Sequence, residues 1–344
     1  MSPVVHGQAP RLTVRRLPAS EWVARLADDG HGPLGALGYG ATAAEAGVAD
    51  TGARRLWPDS PAVDAWCSTG ALSQGRCGAV RWTHNGHWLH GALELDEATA
   101  DESLETLARR AYRDIFATLA QTGCSHLLRL WNYLPGINAD ADGMERYRLF
   151  NSGRQLAFLD AGQAAFEGAP AACALGTRGG PLRIRFLAGR VAAVPVENPR
   201  QVSAYHYPSD YGPRSPTFSR AALLDCGGGQ VALLISGTAS IVGHQSVHVG
   251  NVQAQTRETL ANLNSVIAAA QQRCSARFDL AAADCTVYVR RAADADSVRA
   301  LFAAAVGPDS PAARSVVVLE ADICRADLGV EIEAHAIAPG ELIP

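Results

Sequence analysis

The chain contains no lysine, so each of its 30 basic residues is an arginine. Every cationic contact therefore falls to a planar, permanently charged guanidinium, which matches carboxylates in two-pronged geometry. The formal net charge of −4 includes no basic excess. A nucleic-acid role thus has no electrostatic support, although local arginines still suit a small anionic substrate. No long apolar run is present: residues 231–235 are far too few to cross a bilayer. The first ten residues lack the apolar core of a secretion signal. The 8 cysteines are scattered, with no C-x-x-C pair, which fits reduced thiols and a cytoplasmic protein. No G-x-S-x-G elbow occurs, and the glycine-rich 225–230 lacks the Lys and Ser/Thr of a phosphate loop. No cofactor is expected.

What is present is an ordinary globular composition, 48% hydrophobic and 19% charged, on 344 residues. That is enough for two domains and a large core. Residues 1–56 read as an irregular N-terminal arm with one short strand at 11–15. A hairpin follows at 78–94, turning on Asn85-Gly86. Residues 102–122 carry apolar side chains at helical spacing, and Gly123 closes them. A strand at 127–131, a helix at 144–152 ending on Gly153, and strands at 171–175 and 182–187 complete the half. The second half repeats that order: a hairpin at 231–249, a helix at 256–272, a strand at 285–289, a helix at 296–306, and strands at 316–320 and 330–337. The halves read as diverged copies of one unit. The expected fold is α/β (α+β): tandem modules of mixed sheet packed with helices. Boundaries are 1–56 for the arm, 57–193 and 221–344 for the modules, and 194–220 for a connecting loop rich in Tyr, Pro and Ser. A loop of that length suits function.

His84, His87 and His90 invite a metal reading. A hairpin does not converge three such ligands, so packing is the better reading and no metal is expected. The last strand is more informative. Val330, Ile332, Ala334 and Ala336 fall on one face, Glu331, Glu333 and His335 on the other. The plain expectation for such a row of acids is a solvated face.

The order of pieces through 231–338 resembles the YjgF/Rid family, above all Ala313-Arg314-Ser315 before a strand and then Val330-Glu331-Ile332-Glu333-Ala334. That resemblance puts a carboxylate-binding Arg at Arg314 and an active-site acid at Glu331. Because one such module is about a third of the chain, a second resemblance fits better. The stretches 129–138, 145–154 and 205–216 are similar to those of chorismatases, which remove the enolpyruvyl group of chorismate. The first copy carries Arg183 where the second has Glu331, so it would only assist.

Chorismate is a dianion bearing an enol ether, so carboxylate clamps are expected. Arg314, Arg146, Arg154 and Arg214 stand for them, with Tyr207 and Tyr211 beside Arg214 in the connecting loop. Surface arginines are the plain alternative for each. Cleavage needs a proton on the methylene carbon, hence a carboxyl still protonated near neutral pH. Glu331 is the expected donor, and Glu333 a solvated or structural acid. The resemblance also implies that Gly237 and Cys324 mark the branch giving 3-hydroxybenzoate, with room for a methyl group beside the ring; 4-hydroxybenzoate as a second product stays open. Competing readings are an imine deaminase of the Rid type and a non-catalytic sensor. A tandem chain satisfies module interfaces internally, so a monomer is expected.

Overall fold

The computed structural model describes residues 10–22, 32–40, 48–141 and 143–343. The alternating stretches form two seven-stranded sheets. The first runs, edge to edge, Ser73–Cys77, Val80–His84, Trp88–Leu95, Leu182–Gly189, His126–Pro135, Ala171–Thr177, Asp322–Ile323. The second runs Val194–Val196, Ala221–Asp225, Gln230–Ala239, Val330–Pro339, Asp284–Val289, Val317–Glu320, Arg54–Trp57. In both, the last strand of the unit enters antiparallel between the third strand and the fourth, and the fourth pairs in parallel with the fifth. The repeat read from the sequence is thus a shared topology. The seventh strand of each sheet is supplied from outside its unit: Asp322–Ile323 by the second half, Arg54–Trp57 by the N-terminal segment.

Helices cover the outer face of each sheet, and the sheets pack against each other, giving α–β–β–α layers. Leu107, Ile115, Phe150 and Phe186 fill the first outer core. Leu263, Val287, Phe302 and Ile332 fill the second. Trp66, Trp131, Tyr133, Leu175, Tyr288 and Leu319 lie between the sheets. The strand Val330–Pro339 divides its side chains accordingly. Val330, Ile332 and Ala334 meet helices, whereas Glu331, Glu333 and His335 are buried on the inner face. The expectation of a solvated acidic row is corrected: alternation sorts faces, but here both faces have a partner.

Two further expectations change. The N-terminal segment is not irregular. Leu12–Pro18, Gly32–Tyr39 and Val48–Asp50 join Ala62–Ser68 in a four-stranded sheet. Its Gly- and Ala-rich strand Gly32–Tyr39 is buried over most of its length, so its sequence shows no alternation. Arg16 ties this sheet to the second module, reaching Asp64 at 2.7 Å and Thr286 Oγ1 at 2.9 Å. Residues 1–9, among those read for a secretion signal, and residues 23–31 and 41–47 lie outside the described residues.

The helix Leu104–Thr122 starts on Ser103, whose hydroxyl accepts from the Thr106 N–H, and ends on left-handed Gly123. Its partner, expected to end at Gly153, runs on as Arg146–Asp160. Gly153 is buried at the crossing of the two helices, where a Cβ would lie 2.0 Å from the Glu105 carbonyl oxygen. The glycine marks close approach, not a helix end. Gly153→Ala is expected to destabilise the chain by about 1–3 kcal/mol through overpacking, although alanine is the better helix former. An unchanged or raised Tm in thermal unfolding would contradict that contact.

Candidate active site

Glu331 pairs across the sheet with Ala239 on one side and Tyr288 on the other. The register of Gln230–Ala239 slips between Ile235 and Thr238. Within this bulge sits Gly237, where a Cβ would lie 2.0 Å from Glu331 Oε1 and 3.1 Å from Cys173 Cβ. The missing side chain is the space the carboxyl occupies. The expected room for a methyl group beside a substrate ring is therefore corrected: Glu331 itself fills it.

Glu331 is 3% exposed, yet it lines a cavity of about 560 Å3. Tyr147 and Arg148 of the first module form part of its wall. The connecting loop brings Tyr207, Tyr211, Phe218 and Arg220, and the second module Gly237, Cys324 and Arg325. Burial pushes the Glu331 carboxyl up to about 8; the Glu333 charge adds to the shift, while Arg129 and Arg220 oppose it. It is a protonated acid at neutral pH. The Cys324 sulfur lies 4.0 Å from Glu331 Oε2. Burial, then the Glu331 charge, push this thiol up to about 12, so it is not a thiolate nucleophile.

The cations of the cavity were not singled out in the sequence. Arg220 donates from Nη2 to the Val202 carbonyl at 2.8 Å and the Tyr207 hydroxyl at 2.7 Å. Arg325 lies 4.0 Å from the Tyr211 ring centre and 5.0 Å from that of Tyr207. Arg220 Nε and Arg325 Nη2 are buried without a hydrogen-bond partner among the described residues. Two orphaned guanidinium donors at one cavity suit an anionic ligand. In the sequence, adjacency was the only trace: Arg220 closes the aromatic loop and Arg325 follows Cys324.

Of the expected residues, Glu331, Cys324, Gly237, Tyr207 and Tyr211 meet at this cavity. Four arginines do not line it. Arg314 is exposed at the end of Pro311–Ser315 and donates to the Asp309 carbonyl. Arg146 bonds the Pro135 carbonyl at 2.9 Å and the Glu97 carboxylate. Arg154 is buried, bonded to Asn151 Oδ1 at 2.8 Å and set over the Phe150 ring. Arg214 donates to Gln155 Oε1 at 3.1 Å. As clamps in this cavity they are corrected by their position away from its wall, which helical spacing could not reveal. The three histidines separate likewise. His84 Nδ1 accepts from the Gly86 N–H, His87 packs edge-on to Trp88, and His90 is buried against Gly35.

A buried protonated acid, orphaned cations and a cavity walled by two α/β modules define a small-molecule enzyme. Residues 64–188 match the family described as chorismatase FkbO/Hyg5-like, N-terminal. A 3-hydroxybenzoate synthase of Streptomyces hygroscopicus is 38% identical over 284 residues, 79% of this chain and 81% of that protein. A chorismatase of Streptomyces rapamycinicus is 38% identical over 282 residues, 80% of this chain and 82% of its own. A crystal structure of a chorismatase superposes with a TM-score of 0.82 at 30% identity, covering 96% of this chain and 100% of that one. The chain belongs to the chorismatase family.

The raised Glu331 carboxyl has a consequence for stability. In the unfolded chain it ionises near the ordinary 4.5, in the folded chain near 8. Between those values the folded state holds a proton that the unfolded state has lost, so stability falls as pH rises through this window and levels above it. The loss is on the order of 5 kcal/mol. Glu331→Gln, which cannot ionise, removes it. The Tm of the variant relative to the parent chain is expected to climb from pH 4.5 to pH 8. A constant difference across that range would mean Glu331 is ionised in the fold.

Proposed function

We propose that the chain cleaves chorismate at its enolpyruvyl ether, releasing pyruvate, and that its product is 3-hydroxybenzoate. The observation that carries this reading is the buried protonated Glu331 opening on a cavity with two orphaned arginine donors. In the proposed reaction Arg220 and Arg325 hold carboxylates of the dianion, with Tyr207 and Tyr211 stacking their guanidinium planes. Glu331 gives its proton to the methylene carbon, and the ether becomes an oxocarbenium ion. The neighbouring ring hydroxyl then bonds to the ring carbon bearing the ether as that carbon's bond to the ether oxygen breaks and pyruvate leaves; the resulting three-membered ring opens by breaking the bond from oxygen to its original carbon. Loss of the proton on the carbon that now bears this oxygen restores aromaticity and returns a proton to Glu331. Pyruvate and hydroxybenzoate together contain every atom of chorismate, so no water is consumed.

Imine deamination and ligand sensing are less well supported. The former needs a single module, whereas here the first module walls the cavity with Tyr147 and Arg148. The latter has no use for an acid held protonated. Pyruvate release from chorismate, read through lactate dehydrogenase, separates the three. Glu331→Gln is expected to lower turnover at least about 10²-fold. Near-normal turnover would remove Glu331 from the reaction.

The product branch has its own test. In Gly237→Ala with Cys324→Val, the new methyl group meets the end of a flexible side chain, so the carboxyl shifts without being lost. Pyruvate release is expected to continue while 3-hydroxybenzoate per pyruvate falls and a non-aromatic diol acid appears, both measured by chromatography. An unchanged yield of 3-hydroxybenzoate per pyruvate would exclude these two positions as the branch point.

A further inference from the structure

Beside Glu331 on the same inner face lies Glu333, 4% exposed. A carboxylate so buried must be neutralised or paired. It is paired by the other module: Arg129 of His126–Pro135 donates from Nη2 to Glu333 Oε2. The Tyr288 hydroxyl donates to Oε1 at 2.7 Å, and the Tyr133 hydroxyl lies 2.9 Å from that of Tyr288. Both oxygens of Glu333 are thereby held in place. Arg129 lies over the Trp131 ring, and its Nη1 is buried without a partner among the described residues. Apolar replacements of such buried pairs are often as stable or more so. Folding stability alone therefore does not account for an ion pair two residues from the acid.

We propose that Glu333, clamped by Arg129 and Tyr288, is a positioning residue whose fixed negative charge keeps the transferable proton on Glu331. The inference rests on Glu331 being the acid of the proposed reaction. After Glu331 has given its proton to the methylene carbon, two carboxylates face one inter-sheet space. Their repulsion favours recapture of the proton released from the ring, which readies the acid for the next turnover.

The groups around Glu331 bear this out element by element. Cys324, Cys173 and Tyr147 come from the 324–327 loop, Ala171–Thr177 and Arg146–Asp160; burial pushes all three upward, so they are neutral. Tyr288, on the adjacent strand, is raised in the same way. Arg220 and Arg129 are cations that favour the Glu331 carboxylate, and Glu333 is the anion acting against them. At the corresponding positions of the first module stand Arg183 and Arg185, and that module has no paired acids there.

Two readouts test this. One is the carboxylic-acid stretch in infrared difference spectra between each variant and the same variant carrying Glu331→Gln, followed across pH without substrate. The other is the alkaline limb of pyruvate release against pH. Glu333→Gln is expected to move both toward acid by at least about one pH unit, a roughly tenfold loss of rate on the alkaline side. Arg129→Gln is expected to move them toward alkali, with the double variant between. If Glu333→Gln does not fold, Arg129→Gln against the double variant isolates the Glu333 charge. Coincident titrations in that comparison, or a Glu333→Gln titration equal to that of the parent chain, would overturn the proposal. A shifted infrared titration without pyruvate release from the parent chain would instead leave the Glu333 effect standing and refute the reaction.

Discussion

The structure depends on a row of acids buried between two sheets. A carboxyl removed from water must keep its proton or find a cation. The strand Val330–Pro339 does both within three residues: Glu331 holds its proton in the apolar seam, and Glu333 pairs with Arg129. The cation comes from the opposite module, so this chemistry exists only once the sheets have met. The same seam contains His335, whose ring lies 5.7 Å from that of Trp66 and whose nitrogens approach Asp64 and Asp284.

That dependence explains the fold's exchanged parts. Each seven-stranded sheet borrows its last strand from another segment, and Arg16 reaches from the N-terminal sheet to backbone and side chains of the second module. Contacts of such long sequence separation hold the two sheets in register. A slip of either sheet would move Arg129 away from Glu333 and leave two buried charges unpaired, a large penalty.

The cavity is shaped by an irregularity in one strand. The bulge at Gly237 interrupts the pairing of Gln230–Ala239 with Val330–Pro339 where the Glu331 carboxyl needs room. Bulges commonly re-aim side chains beside active sites. Here the bulge lets an acid remain part of a packed sheet while it reaches a cavity. The aromatic loop closes the other side by stacking Tyr207 and Tyr211 against Arg325, which holds a guanidinium flat without neutralising it.

The sequence by itself determined most elements beyond the N-terminal segment, their repeated order and the face that the acids of the last strand share. Those are local properties: apolar periodicity, helix caps, and the strict alternation that puts Glu331 and Glu333 on one face. It also carried the expectation of Glu331 as the acid, and of Gly237, Cys324, Tyr207 and Tyr211 beside it, through resemblance to known relatives. Only the tertiary structure decided what the acidic face meets, because alternation separates two faces without naming their partners. Only it chose among the arginines, since 30 identical guanidinium groups differ by the acceptors around them. Arg314, Arg146, Arg154 and Arg214 lie away from the cavity, whereas Arg220 and Arg325 line it and each keep a donor without a partner among the described residues. The meaning of Gly153 and Gly237 was settled in the same way: a glycine in a sequence shows that space is needed, and the packed neighbour shows what takes it.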